Sequence, residues 1–353
     1  MVTRSEEALR SELEKVAPGT VLREGLEYIL SGRTGALIVI GDEANVAPLC
    51  NGGFDVDTPF TAQALSELAK MDGAIVLDSE CEVIRKANVH LVPDPTLATA
   101  ETGMRHRTAE RVSRQTKALV ISISQRREVV TLYVDGNRVI LEDIEVVLAK
   151  ANQALQTLQR YRTRLDTVLE RLTVLEFDDV ATLGDLAEVV SRFEMVQRAS
   201  REVTRYISEL GTEGRLVRMQ AEELTANVDE DYLLLVRDYA HDAGPRKASA
   251  LRASLGALSP EQLLEPLQIA RVLGLPEDVE SLEDHVRPRG FRILRRIPLL
   301  PASVINRLVD RFGTLPDLLL ASEDDLDDVD GVGARRARAI TEGLGRMRAH
   351  LVA

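Results

Sequence analysis

The feature that most constrains this chain is a run of ten residues near its middle. Ile144, Val147, Ala151, Ala154, Leu158, Tyr161, Leu165, Val168, Leu172 and Leu175 recur at alternating spacings of three and four. An apolar period of that kind, held over more than four heptads, specifies one long helix with a single packing seam. The stretch holds no cluster of catalytic residue types, so it reads as a spine or an oligomerisation stalk, and the chemistry must be sought on either side of it. Further helices are expected over 182–210 and 215–227, broken by Gly211 and Gly214. The chain thus divides into an α/β domain over 1–145, an all-α spine over 146–285 and a C-terminal module over 286–353, opened by Arg287-Pro288-Arg289-Gly290.

Before the spine, short apolar runs alternate with helical patterns. Residues 35–41, 74–77, 89–92 and 118–123 are continuous and apolar, as strands buried on both faces must be. Residues 129–134 and 138–141 flank Asp135-Gly136-Asn137, a hairpin turn, so the sheet is mixed. Helical patterns at 21–31, 60–71 and 105–116 supply the covering layers of an α/β domain.

Composition removes several function classes. No apolar run approaches the roughly 20 residues of a membrane span. The start, MVTRSEEALRSELEK, has no apolar signal core, and Cys50 and Cys81 lie in no metal or redox spacing, so a reducing cytoplasm is expected. A net charge of −13 argues against non-specific coating of nucleic acid, and 3% aromatics without Trp against base-stacking platforms.

Two short constellations carry chemistry. Gly103 precedes Met104-Arg105-His106-Arg107-Thr108 at a helix start. Helix N-termini present free N–H groups and positive dipole, which suits an anion, and two arginines, a histidine and a threonine add donors fit for a polyphosphate. The plainer alternative is a solvated first turn whose arginines pair with Glu101 and Glu110. The second constellation, Asp72-Gly73-Ala74, opens the strand 74–77. Asp-Gly alone makes turns. Beside a phosphate site, Asp72 becomes a candidate ligand of a divalent cation, and the small Gly73 and Ala74 admit a nucleotide close to the backbone. One carboxylate and one phosphate-binding helix start are the minimum kit for metal-assisted phosphoryl or nucleotidyl transfer.

Asp72-Gly73-Ala74 with Arg105-His106-Arg107 resembles the paired signature of the diadenylate cyclase (DisA_N, or DAC) domain family. The order of cyclase domain, helical spine and helix-hairpin-helix resembles the DNA-integrity-scanning members of that family over essentially all 353 residues. The resemblance implies condensation of two ATP molecules into cyclic di-AMP and two pyrophosphates between facing subunits. It implies Asp72 as catalytic ligand of Mg²⁺ or Mn²⁺, Gly73 and Ala74 close to the nucleotide, and Leu91 at the adenine. It places the triphosphate against Met104, Arg105, His106, Arg107 and Thr108, with Ser124 as a further phosphate contact. It also implies a homo-octamer whose spine organises tetramers, and branched or damaged DNA as a partner. The sequence departs from the pattern twice. Ser124-Gln125-Arg126 stands where membrane-anchored relatives carry acidic residues after the serine, and Met104 stands where some relatives carry Thr or Ser.

In the last module, Val329-Asp330-Gly331-Val332-Gly333-Ala334-Arg335-Arg336-Ala337 has the h-x-G-h-G-x-x-x-A form of a helix-hairpin-helix. Its glycines permit a tight turn, and Gly331, Gly333, Arg335, Arg336 and Arg338 are the candidates for sequence-independent contact with a DNA backbone. The abutting acidic run Glu323–Asp330 opposes this, and a packed helical tail is the competing reading. Residues 291–353 hold 10 Arg, no Lys and 9 acidic residues. Two alternatives to a cyclase stay open: another ATP-dependent nucleotidyltransferase, and a non-enzymatic DNA-structure sensor with a degenerate nucleotide pocket.

Overall fold

A computed structural model describes residues 11–126, 129–240, 244–276, 279–298 and 300–352. The first ten residues of the charged N-terminal segment therefore lie outside the described chain. The chain packs as two compact units. One takes in residues up to 153 together with 203–219, the other 154–202 and 220 onward.

The first unit is built on an eight-stranded sheet in the order β2-β5-β4-β1-β6-β7-β8, with β3 paired to β5. The strands are β1 Ala36–Ile40, β2 Cys50–Asn51, β3 Phe54–Pro59, β4 Ala74–Leu77, β5 Val83–Leu91, β6 Leu119–Ser124, β7 Val129–Val134 and β8 Asn137–Leu141. β1 runs parallel to β4 and antiparallel to β6, so the sheet is mixed, as the hairpin required. Asp135 and Gly136 both take positive φ at the β7–β8 turn. That conformation matches the right-handed twist of the flanking strands.

The central strands are continuously apolar because each face is covered. Ile38, Ile75, Leu77, Ile121 and Ile123 pack with Leu22, Leu26 and Ile29 of α1 (Val21–Ser31) and Leu65 of α2 (Ala62–Leu68). Val39, Ala74, Val76 and Val120 point the other way, onto Ala109 and Val112 of α3 (Met104–Thr116). Each fully buried aliphatic side chain contributes about 1.5–3 kcal/mol relative to exposure. Both faces of β1, β4 and β6 being dry, these strands hold the segments that carry the candidate site in fixed register.

Beyond the sheet the described chain is helical. α4 (Ile144–Phe177) and α5 (Leu183–Leu210) are each continuous, and α6 (Arg215–Thr225) follows a short 3-10 turn at Gly211–Gly214. α7 (Val228–Tyr239), α8 (Pro245–Gly256) and α9 (Pro266–Leu273) come next. Five helices then complete the chain: α10 Phe291–Arg295, α11 Ala302–Phe312, α12 Leu315–Leu320, α13 Glu323–Asp327 and α14 Gly333–Val352. Their core includes Ile293, Leu308, Leu315, Leu326 and Ile340 and takes in Phe177 from α4.

A buried ionic network joins α10 to α4 and α7. Arg292, 1% exposed, donates to Thr173 Oγ1 at 3.0 Å and to the Glu176 carboxylate. Tyr239 Oη also donates to Glu176, at 2.8 Å. Asp238 accepts the backbone N–H groups of Gly290, Phe291 and Arg292 at 2.8, 2.5 and 3.1 Å. Burial and the Glu176 charge push the Asp238 carboxyl up to about 7, against the pull of Arg292 and the backbone donors. Removing one partner of such a network strands a buried charge, at a cost of about 3–5 kcal/mol. Arg292→Ala is therefore expected to lower unfolding stability by that amount, read as a shifted urea midpoint by circular dichroism. A midpoint equal to wild type would mean that the network contributes no stability.

Candidate active site

α3 begins without a cap. Its N-cap, Gly103, is extended (φ −81°, ψ 140°), makes no side-chain cap hydrogen bond, and no acidic residue lies in the first turn. The Arg107 N–H closes the first turn on Gly103 O at 2.9 Å. The N–H groups of Met104, Arg105 and His106 precede that bond and have no partner within the helix. Arg105 and Arg107 thus bring cationic side chains, with the His106 imidazole between them, to the positive end of a dipole, an arrangement that favours an anion.

The arginines of this turn do not pair with Glu101 and Glu110. Glu101 receives Tyr133 Oη at 2.9 Å and Arg138 Nε at 3.4 Å. Glu110 receives Thr99 at 2.5 Å and Arg114 at 2.7 Å. Arg105 instead lies across the start of β1. A Cβ on Gly35 would stand 2.1 Å from Arg105 Nη1 and 3.2 Å from Ile123 O, so the guanidinium occupies the space a side chain would fill. Its Nη2 reaches Asp72 Oδ1 at 3.7 Å. The two constellations found in the sequence therefore meet, although strands β4 and β5 and a long loop separate them along the chain. Asp72 is fully exposed, at 106% of its reference accessibility, so this ion pair contributes little to stability.

The turn that holds Asp72 is fixed from β5. Asn88 takes a left-handed conformation (φ 53°), and its Oδ1 accepts the Gly73 N–H at 3.1 Å. A Cβ on Gly73 would fall 2.3 Å from the Asn88 carbonyl carbon and 2.7 Å from Val89 N. The missing side chain at Gly73 is thus accounted for by the close approach of β5. Ala74 and Leu91 are core side chains, 2% and 5% exposed, packed on the α3 face of the sheet. Ser124 ends β6, one residue beyond the carbonyl that flanks Arg105. Met104 is 83% exposed at the helix start, and Thr108 lies half-buried one turn on. His106 Nδ1 lies 3.0 Å from Tyr133 Oη. Gly35, Asn88 and Tyr133 belong to this constellation and were not singled out from sequence; Glu101, expected only as a partner of the first-turn arginines, belongs to it through Tyr133. The isolated Gly35 before an apolar run was the one available signal.

The donor set suits a divalent ion that a substrate completes. Asp72 offers one exposed carboxylate, and among the described residues no three His, Cys, Asp or Glu side chains converge. Mg²⁺ is commonly held by one or two carboxylates with the remaining positions filled by phosphate oxygens and water.

In the C-terminal segment, α13 opens on a capping box between Ser322 and Asp325. Gly331 and Gly333 take positive φ, 82° and 64°, in the turn before α14. Arg307 covers the turn: its Nη1 lies 3.6 Å from Asp330, and its Nη2 would be 2.6 Å from a Cβ on Gly331. Arg336 donates to Gly331 O at 2.6 Å, Arg338 lies 4.0 Å from Glu323, and Arg335 is exposed. Among the described residues, no helix is long and apolar enough to cross a membrane.

Comparison with known proteins places the chain in a family. A model of the DisA bacterial checkpoint controller nucleotide-binding region matches residues 23–138, and one of the DisA bacterial checkpoint controller linker region matches residues 141–282. The DNA integrity scanning protein DisA of Symbiobacterium thermophilum is 54% identical, covering 95% of each chain. Its namesakes in Carboxydothermus hydrogenoformans and Frankia alni are 52% and 51% identical, covering 95% and 97% of this chain and 96% of each relative. A crystal structure of DacA from Staphylococcus aureus is 22% identical over 41% of this chain and 93% of its own, with a TM-score of 0.29.

The contact between Gly73 and Asn88 is directly testable. Overpacking a closed site costs about 1–3 kcal/mol, and Gly73→Ala is expected to lose that much stability in thermal unfolding. A melting temperature equal to wild type would show that β5 does not confine the Asp72 turn.

Proposed function

The chain belongs to the DisA family, and we propose that it is a diadenylate cyclase whose C-terminal helices contact DNA. The observation that carries the reading is the meeting of Asp72 with the uncapped, cationic start of α3, at 3.7 Å. A triphosphate laid along that helix start would replace the Asp72 carboxylate as partner of Arg105. It would also take the N–H groups of Met104, Arg105 and His106, with Arg107, Thr108 and Ser124 as further donors. These groups bind and orient; none acts as a nucleophile. Asp72, with phosphate oxygens, would hold a Mg²⁺ or Mn²⁺ ion, which when bound lowers the pKa of a nearby ribose hydroxyl and neutralises phosphate charge.

In this reading the 3′-oxygen of each ATP forms a bond to the α-phosphorus of the other. Each α-phosphorus releases pyrophosphate, and each hydroxyl gives up its proton. Two ATP thus give cyclic di-AMP and two pyrophosphates. Two symmetric attacks need two symmetric sites, so the reaction calls for an isologous encounter of two copies of the sheet domain. Holding both nucleotides face to face supplies much of the rate enhancement. A homo-octamer in the cytoplasm is part of the same proposal.

The DNA contact rests on the turn at Gly331 and Gly333, with Arg335 exposed beside it. Arg336 and Arg338 are engaged within the chain, so Arg335 is the side chain best placed to meet a phosphate. Branched or damaged DNA is the proposed partner, bound through its backbone.

Two outcomes are expected. Incubated with ATP and Mn²⁺, the protein yields cyclic di-AMP by mass spectrometry, and Asp72→Asn yields none while keeping its circular dichroism spectrum. Unchanged turnover in that variant would remove Asp72 from the mechanism. Binding to branched DNA weakens steeply with salt, and Arg335→Ala lowers the slope of log affinity against log salt by about one unit. Affinity that is constant from low to high salt would rule out backbone contact.

A further inference from the structure

His106 meets a buried hydroxyl from the cationic turn. Tyr133, 0% exposed on β7, places its hydroxyl 3.0 Å from His106 Nδ1 and 2.9 Å from Glu101 Oε1. A phenol has one proton to give. Burial raises the pKa of Tyr133, and the hydrogen bond to Glu101 raises it further, so the hydroxyl keeps that proton. Given to His106, the proton would leave the phenol oxygen and the Glu101 oxygen facing each other with lone pairs alone. Given to Glu101, it satisfies the carboxylate, and the phenol oxygen then accepts from the imidazole. Arg138, the cross-strand neighbour of Tyr133, supplies the counter-charge to Glu101 at 3.4 Å.

We infer that Tyr133 and Glu101 are positioning residues that hold the His106 imidazole with a proton on Nδ1. The consequence lies on the opposite edge of the ring. His106 Cδ2, the atom bonded to Nε2, is 3.6 Å from where a Cβ on Gly103 would stand, so that edge lies over the uncapped start of α3. A fixed Nδ1–H makes Nε2 the nitrogen that meets a ligand there, and the carboxylate behind Tyr133 supports the ring when it becomes cationic against phosphate. The part played in ATP binding rests on the cyclase reading; the tautomer does not. At metal-bound histidines, partners of this kind are worth about 10–100-fold.

The experiment uses the full chain labelled with ¹⁵N-histidine, the His106 ring signals being assigned by their loss in His106→Asn. The wild type and Glu101→Gln, whose amide oxygen still accepts from Tyr133, are expected to show the Nδ1–H form. Tyr133→Phe is expected to move His106 to the Nε2–H form that imidazole prefers in water. In the same variant the KM for ATP is expected to rise by about tenfold, with a smaller change in kcat. Should Tyr133→Phe fail to fold, Glu101→Ala removes the acceptor and is expected to shift the tautomer in the same direction. An Nε2–H signal in the wild type, or His106 signals unmoved by Tyr133→Phe or by Glu101→Ala, overturns the inference. If the tautomer shifts as expected while the wild type forms no cyclic dinucleotide, the tautomer stands and the cyclase reading falls.

Discussion

The constraint on which the site depends is the placement of cations at the wrong end of a helix. The first turn of α3 carries Arg105 and Arg107, with His106 between them, where the backbone is already electropositive, with no side-chain cap and no acidic residue in the turn itself. Such a turn is unfavourable alone. The chain tolerates it because the rest of α3 is anchored: Ala109 and Val112 are fully buried against the sheet, and Lys117 closes the other end in a left-handed cap. Core packing worth several kcal/mol per turn outweighs a dipole term of about 0.3–1 kcal/mol. The unbalanced charge persists as a property of the surface, ready for an anion.

The same sheet that anchors α3 fixes the opposing carboxylate. β4 lies parallel beside β1 and pairs with β5, so the turn before β4 arrives at the same end of the sheet as Gly35, which admits Arg105. Asp72 itself is held by nothing but that weak pair and the backbone of its turn. Its position is set one residue later, by the carboxamide of Asn88 on the Gly73 N–H. A carboxylate that is exposed yet carried on a confined turn suits exchange between a guanidinium and a cation, since little binding energy is lost when the partner changes.

How much of this was legible beforehand follows from which residues carry their own signal. The runs at 35–41, 74–77, 118–123 and 129–134 announced strands because both faces are dry, leaving no polar alternation to confuse the reading. β2 and β3 were missed: they lie at the outer side of the sheet beside β5, and Phe54-Asp55-Val56-Asp57-Thr58-Pro59 reads as loop because its aspartates face water. β5 was seen only in its last residues, since Arg85 and Lys86 interrupt it to pair with Asp57 and Asp55. At the site, Asp72 and the Arg105 turn were legible as residue types in a local pattern. Gly73 was legible as a glycine, and the structure adds a reason of its own, the close approach of Asn88 where a side chain would stand. The roles of Gly35, Asn88 and Tyr133 could not be assigned because each is acquired only through a partner on another strand or loop, and Glu101, expected beside the first-turn arginines, serves Tyr133 and Arg138 instead.

The helical half shows the complementary principle. Apolar seams along α4 and α5 specify that helices pack, and leave sliding along the seam cheap. Asp238 removes that freedom for α10, because one carboxylate accepts three consecutive N–H groups and each bond has its own direction. Arg292, the second residue of the same helix, reaches Thr173 and Glu176 on α4 with its side chain. An apolar substitute of equal volume would match or exceed the stability of such a network. What the charges supply instead is a single register, since any slip of α10 takes Arg292 away from Glu176 and the three N–H groups away from Asp238. The segment that carries the Gly331 turn is therefore held to α4 and α7 by geometry as well as by area.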